Sequence, residues 1–293
     1  MNNCFKGTGV AVVTPFHKDG SIDFDAFKNV IHHTISNHVD YIVVLGTTGE
    51  SVVLSKDEKN AIIHFAAEII DKRVPLVAGV GGNCTNEVVN NFADFCFDIV
   101  HALLSVTPYY NKPHQKGLFA HYKTIAERSP LPVILYNVPD RTGVNMTAET
   151  TLKLAHNFDN IIGIKEASKD MEQCAMIVRN KPENFLVISG DDLLTLPLIA
   201  MGGDGAISVT ANAYPKEFSH MVRHALEHDF LKARALFHKL TLFMTAIFMD
   251  GNPAGIKAAL NQLDIIQNYL RLPSVPVSRK TYSAIKKAME VLE

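Results

Sequence analysis

The run Asn160-Ile161-Ile162-Gly163-Ile164-Lys165-Glu166-Ala167-Ser168 is almost continuously apolar until it meets a lysine. Short, unbroken apolar runs rich in Ile and Val mark parallel strands buried on both faces. An ammonium group at the end of such a strand is costly, because burial disfavours the charged form and lowers a lysine pKa. A lysine amine that is neutral near pH 7 is a nucleophile able to form a Schiff base with a carbonyl compound. The competing reading is that Lys165 merely ends the strand and reaches water along its aliphatic stem. The rest of the chain decides between the two.

Seven further runs resemble this one, so that strands are expected at residues 9–14, 41–46, 75–79, 102–107, 133–137, 161–166, 185–190 and 205–209. Helical patterns lie between them. Ser55-Lys56-Asp57-Glu58 is a capping box opening a helix to about residue 71, and Asp23 caps one reaching about residue 37. Thr147-Ala148-Glu149 starts another after the fifth strand. Eight strand–helix units in succession predict an α/β fold of the closed (β/α)₈ TIM-barrel type rather than an open doubly wound sheet. The eighth unit ends near His228. Residues 1–228 are therefore expected to form the barrel, and residues 229–293 a small C-terminal α-helical domain. Its helices are expected at about 231–249, 253–263 and 278–292, with a break at Leu272-Pro273-Ser274-Val275-Pro276.

The bulk properties exclude several classes of function. A chain of 293 residues with 47% hydrophobic and 20% charged residues can bury a sizeable core. Net charge is -2 with no Lys/Arg block, which argues against nucleic acid as a partner. Cys4, Cys84, Cys96 and Cys174 are scattered without a C-x-x-C spacing, which suggests a reducing, cytoplasmic setting rather than a disulfide framework or zinc site. No secretory signal is evident at the N-terminus and no apolar run reaches membrane-spanning length, so no membrane partner is expected.

In barrels of this type the active site lies at the C-terminal ends of the strands. The unusual residues of this chain fall there: Gly46-Thr47-Thr48-Gly49-Glu50, Gly79-Val80-Gly81-Gly82-Asn83, Thr107-Pro108-Tyr109-Tyr110-Asn111, Tyr136-Asn137-Val138-Pro139, Lys165, Gly190-Asp191-Asp192 and Ile207-Ser208-Val209-Thr210. Strict alternation places Gly163 and Ile161 on the inward face with Lys165, with Gly163 leaving room for the lysine stem. Tyr136 then stands on the neighbouring strand at similar height, where a phenol suits proton transfer during imine formation. Thr47 and Thr48 offer hydroxyls and flexible backbone N–H groups suited to a small carboxylate, or form an ordinary turn. Tyr109 and Tyr110 fit either rim packing or the site. Arg141 is either a surface charge or a clamp on a second carboxylate. His220, His224 and His228 recur every four residues, but no carboxylate motif accompanies them, and they read as a solvated helix face rather than a metal site. No nucleotide fingerprint or metalloprotease motif is present, and no cofactor or metal is expected.

Several ordered motifs resemble the 4-hydroxy-tetrahydrodipicolinate synthase (dihydrodipicolinate synthase) family. They are G-T-T-G-E at 46–50, T-P-Y-Y-N-K-P at 107–113, Y-N-V-P-x-R-T-G-V at 136–144, I-K-E-A-S at 164–168, S-G-D-D at 189–192 and G-A-I-S-V at 205–209. The likeness runs over essentially the whole chain, including Asn252-Pro253 followed by Lys257. It implies a class I aldolase-type lyase that condenses pyruvate with L-aspartate 4-semialdehyde. The product is 4-hydroxy-tetrahydrodipicolinate, at the first committed step of diaminopimelate and lysine biosynthesis. By the same resemblance Lys165 forms the Schiff base, Tyr136 is the proton donor and acceptor, and Thr47 and Tyr110 complete its relay. The family's counterpart of Tyr110 comes from a neighbouring subunit, which implies at least a dimer, and the family's usual assembly is a homotetramer built as a dimer of dimers. Thr48 and the backbone at Ile207 resemble pyruvate-binding positions, Gly190 lines the pocket, and Arg141 resembles the residue that binds the semialdehyde carboxylate.

Some members of that family carry a lysine feedback site, and Ser51, Asn83, Glu87 and Tyr109 match its contacts. Two positions there that are often histidines are Lys56 and Lys59 in this chain. A cation facing the ammonium of bound lysine is unfavourable, so weak or absent inhibition is expected. Two alternatives remain. One is a sister Schiff-base aldolase, such as N-acetylneuraminate lyase or a 2-keto-3-deoxy sugar acid aldolase. The other is a non-catalytic carboxylate-binding protein on the same barrel, which predicts loss of the lysine or its relay.

Overall fold

Eight parallel strands pair in chain order and close on themselves: β1 (Gly7–Ala11), β2 (Tyr41–Val44), β3 (Leu76–Gly79), β4 (Ala102–Val106), β5 (Val133–Asn137), β6 (Ile161–Glu166), β7 (Leu186–Ser189) and β8 (Gly205–Ser208). The structure, a computed structural model, describes residues 2–94 and 97–292, and Cys96 lies outside them. The connecting helices are α1 (Phe24–Ser36), α2 (Lys56–Ile70), α3 (Thr85–Asp94), α4 (Gln115–Arg128), the single turn α5 (Pro139–Thr142), α6 (Ala148–Asn157), α7 (Met171–Asn180), α8 (Thr195–Ala200) and α9 (Pro215–Leu226). The tail forms α10 (Phe230–Ala246), α11 (Ala254–Gln262) and α12 (Arg279–Glu290). Local chemistry sets several starts. Ser55 and Glu58 close the expected capping box on α2, while Asp23 and Thr147 cap α1 and α6 through their side chains.

Burial separates two apolar layers. Val43, Val77, Leu104, Ile134, Ile162, Leu186, Ile188 and Ile207 fill the barrel interior. A larger cluster, including Val10, Ile42, Leu103, Leu135, Ile164 and Val187, packs the strands' outer face against the helices. Successive residues facing opposite layers explain why the strands read as apolar without a break.

The structure corrects several local expectations. Strand β1 runs over Gly7–Ala11 rather than 9–14, and β2 stops at Val44 because Leu45 takes the left-handed conformation at φ 57°. Gly79 accommodates that turn, since a Cβ there would lie 2.2 Å from the Leu45 carbonyl oxygen. Strand β6 is not strictly alternating. Val133 pairs with Ile161 but Ile134 pairs with Gly163, so the register slips by one residue. Ile162 joins the interior layer and Ile161 the outer one, contrary to the expected inward Ile161. Helix α9 ends at Leu226 and His228 lies beyond it at φ 64°, so the three histidines do not share one helix face. No described helix is long and apolar enough to cross a membrane.

Candidate active site

The ends of β5 and β6 put a phenol and an amine side by side. Tyr136 and Lys165 are paired residues in the register, and the Lys165 Nζ lies 4.5 Å from the centre of the Tyr136 ring. Both are buried, at 7% and 5% exposure. The next pair along, Asn137 and Glu166, faces away from the barrel. There Asn137 Nδ2 donates to both carboxylate oxygens of Glu166 at 3.1 Å, and Gln173 Nε2 and the Ser168 backbone N–H add donors at 3.0 and 2.7 Å. Burial pushes the Glu166 carboxyl pKa up, while these hydrogen bonds hold it down. This network ties the two strand ends together directly behind Tyr136 and Lys165.

Room for the lysine stem comes from a different glycine than expected. A Cβ on Gly163 would meet Leu186 of the neighbouring strand at 2.8 Å. A Cβ on Gly190 would lie 3.0 Å from Lys165 Cε and 3.1 Å from its Cγ. Gly190, at the end of β7, therefore clears the lysine's path.

Lys165 opens into a cavity of about 660 Å³, whose wall includes Thr47, Thr48, Tyr136, Arg141, Gly190 and Asn252. Thr48 Oγ1 accepts a hydrogen bond of 3.0 Å from Asn252 Nδ2. Arg141 lies in the single turn α5, which Pro139 opens and the C-cap Gly143 closes at φ 73°. Its Nη2 contacts the Asn252 carbonyl at 3.5 Å. Asp192 is buried and accepts from the Val209 and Thr210 N–H groups at 3.2 and 2.7 Å, fixing the turn after β8. Burial raises its pKa. Ile207 is 1% exposed in the barrel interior and does not belong to the lining.

A second cavity of about 470 Å³ shares Gly46, Thr47, Tyr136 and Arg141 with the first. Ser51, Asn83, Glu87, Tyr109 and Lys59 line it. Burial lowers the Lys59 pKa. Lys56 is instead paired with Asp94 at 2.7 Å and is not among the lining residues. Tyr110 stands apart from both cavities, 89% exposed with φ 74°.

A buried amine beside a phenol, in a cavity with hydroxyls and a guanidinium, is the arrangement a Schiff-base lyase needs. A model of the dihydrodipicolinate synthetase family matches residues 4–292. The chain belongs to the dihydrodipicolinate synthetase family. Among its relatives, a 4-hydroxy-tetrahydrodipicolinate synthase from Parabacteroides distasonis is 50% identical over 287 residues, spanning 98% of this chain and 97% of that one. A solved structure of a dihydrodipicolinate synthase characterised as a monomeric variant superposes with a TM-score of 0.96 at 38% identity, covering 99% of this chain and 98% of the other. The chloride-inhibited dihydrodipicolinate synthase of Acinetobacter baumannii, in complex with pyruvate, gives 0.95 at 38% identity over 98% of both chains.

For this member of the dihydrodipicolinate synthetase family, reading of the strand ends missed one wall of the cavity. Met244, Thr245, Phe248 and Asn252 of the C-terminal segment line it. The Asn252-Pro253 pair was visible in the sequence, but nothing in its spacing signalled a contact with Thr48, 204 residues away. Asp140 and Lys169 also line the cavity and form an exposed ion pair of 2.6 Å.

Proposed function

We propose that the chain is a lyase that condenses pyruvate with L-aspartate 4-semialdehyde to 4-hydroxy-tetrahydrodipicolinate. The observation that carries this reading is Lys165: buried, opening on the larger cavity, and without an ion-pair partner among the described residues. In this reading the Lys165 amine adds to the pyruvate ketone, and loss of one water leaves the imine. Loss of a methyl proton gives the enamine, whose carbon attacks the semialdehyde aldehyde. The semialdehyde's own amine then displaces Lys165 as the ring closes, and the enzyme is regenerated.

Tyr136 moves the protons, with Thr47 and a Tyr110 supplied by a neighbouring subunit. The exposure of Tyr110 in a single chain supports that arrangement and a homotetramer, a dimer of dimers, as the working assembly. Thr48 holds the pyruvate carboxylate, Gly190 borders it, and Arg141 takes the carboxylate of the semialdehyde. Residues 229–293 act as a distinct helical domain closing one side of the site. The smaller cavity, with Ser51, Asn83, Glu87 and Tyr109, is the place for a lysine effector, and the Lys59 ammonium there weakens its binding. Cys84 and Cys174 are free thiols, in keeping with a cytoplasmic enzyme.

The test is direct. Pyruvate followed by borohydride should leave a reduced adduct on Lys165, located by mass after digestion, and an unmodified Lys165 would sink the mechanism. A coupled assay offering aspartate semialdehyde against N-acetylmannosamine separates the synthase from a sister lyase.

A further inference from the structure

The loop that carries Thr47 and Thr48 is bracketed by two residues that rarely adopt their observed backbone conformation. Leu45 and Glu50 have φ of 57° and 53°. Neither is glycine, and left-handed backbone at such residues persists only where the surroundings over-determine it. For Leu45 the surroundings are packed side chains and the space left by Gly79. For Glu50 they are charges from the far end of the chain.

The Glu50 carboxylate is 5% exposed, and its Oε1 lies 2.5 Å from the Nζ of Lys257, which is fully buried. Glu50 Oε2 accepts the backbone N–H of Arg271 at 3.3 Å. Lys257 also donates to the Tyr269 carbonyl at 3.0 Å and sits 4.2 Å over the Phe16 ring. Arg271 covers the same ring at 4.6 Å, donates to the Val53 carbonyl at 2.9 Å and pairs with Glu58 of α2. Asn252, five residues before Lys257, reaches Thr48. Thus Glu50, the segment after it and Thr48 are each held by the C-terminal segment. From the barrel itself, Thr14 Oγ1 holds the Gly49 carbonyl at 2.7 Å.

Stability alone is a poor reason for this arrangement. A buried ion pair costs so much desolvation that an apolar pair of the same volume serves a core as well or better. Lys257 is also no second imine-forming amine, since it is absent from the lining of both cavities and pinned by a carboxylate. What the pair does provide is a fixed anchor for the Glu50 side chain next to its left-handed backbone.

We propose that the Glu50–Lys257 pair is a positioning device. It locks the left-handed backbone at Glu50, and so sets the direction in which Gly46-Thr47-Thr48-Gly49 presents its hydroxyls and N–H groups to the pyruvate carboxylate. The inference rests on the reading of the larger cavity as a pyruvate site.

The double variant Glu50→Gln/Lys257→Met removes both charges with little change of volume, leaving no unpaired charge, at the loss of the Lys257 hydrogen bond to the Tyr269 carbonyl. The expected result is a folded enzyme whose KM for pyruvate rises about tenfold, with kcat within about twofold and an unchanged KM for the semialdehyde. Amide hydrogen exchange over residues 46–50 should accelerate at the same time. A folded double variant with wild-type pyruvate KM and wild-type exchange in this loop would overturn the proposal. Should it fail to fold, Glu50→Asp keeps the charge while withdrawing it by one methylene, and the same two measurements decide. Borohydride trapping of pyruvate on the wild type runs in parallel. An unlabelled wild-type Lys165 strikes the reading of the site itself, and loop exchange then tests the clamp alone.

Discussion

Two lysines of this chain are buried against aromatic rings, and their surroundings are opposite. Lys165 lies over Tyr136 at 4.5 Å and Lys257 over Phe16 at 4.2 Å. Lys257 has a carboxylate at 2.5 Å and no opening to either cavity. Lys165 opens on the larger cavity and has no ion pair among the described residues. Burial, which singles out a lysine in the sequence, does not by itself mark a nucleophile. Access to a cavity, with the amine not held by a carboxylate, does, because only there can the amine meet a carbonyl.

Truncating each lysine should give opposite results. Lys165→Ala should lower turnover by about a thousandfold or more while leaving the melting temperature unchanged or raised, since it removes a buried, unpaired amine. Lys257→Ala should instead cost about 3–5 kcal/mol of stability by stranding Glu50 without its partner. If Lys257→Ala keeps wild-type stability, or Lys165→Ala keeps turnover, the contrast fails. Tyr136→Phe comes next, with a fall in kcat of about a hundredfold through loss of proton transfer, while trapping of pyruvate on Lys165 slows but persists. An unchanged kcat would remove the phenol from the chemistry.

Arg141→Ala should raise KM for the semialdehyde about tenfold, the scale of one lost charge-assisted contact, and leave that for pyruvate nearly alone. Equal effects on both substrates would argue against separate carboxylate sites. The smallest expected effect concerns acid. The Arg271 guanidinium, helped by the Ser55 N–H, holds the Glu58 carboxyl at about 2 against an ordinary value near 4.5. Its folded-state pKa is lowered, so its contribution to stability is complete above about 4.5 and is lost as pH falls toward 2. Glu58→Gln should flatten the loss of melting temperature across that window relative to wild type. Parallel curves would place the clamp's stability elsewhere.

Much of this architecture was legible because buried parallel strands advertise themselves. Strands β5 and β6 match the expected 133–137 and 161–166, and the others shift by at most a few residues at their ends. Those shifts have causes the one-dimensional pattern does not hold: Leu45 remains apolar and buried while its backbone leaves the sheet. The slip at Ile161–Ile162 was equally hidden, because both residues are isoleucine and both are buried. Alternation therefore put the wrong isoleucine inside, and credited Gly163 with space that Gly190 provides.

The order of residues along the chain is enough to specify the barrel, the strand ends where polar residues gather, and the pairing of Lys165 with Tyr136 on adjacent strands. These follow from periodicity and chain order, which are local properties. Packing in three dimensions decides which glycine frees the lysine stem, and that Lys257 pairs with Glu50 and lines neither cavity. Those outcomes depend on which side chains meet across some 200 residues, as Asn252 meets Thr48 at a separation of 204 and Arg271 meets Glu50 at 221. Only the closed packing of the C-terminal segment against the barrel brings them together.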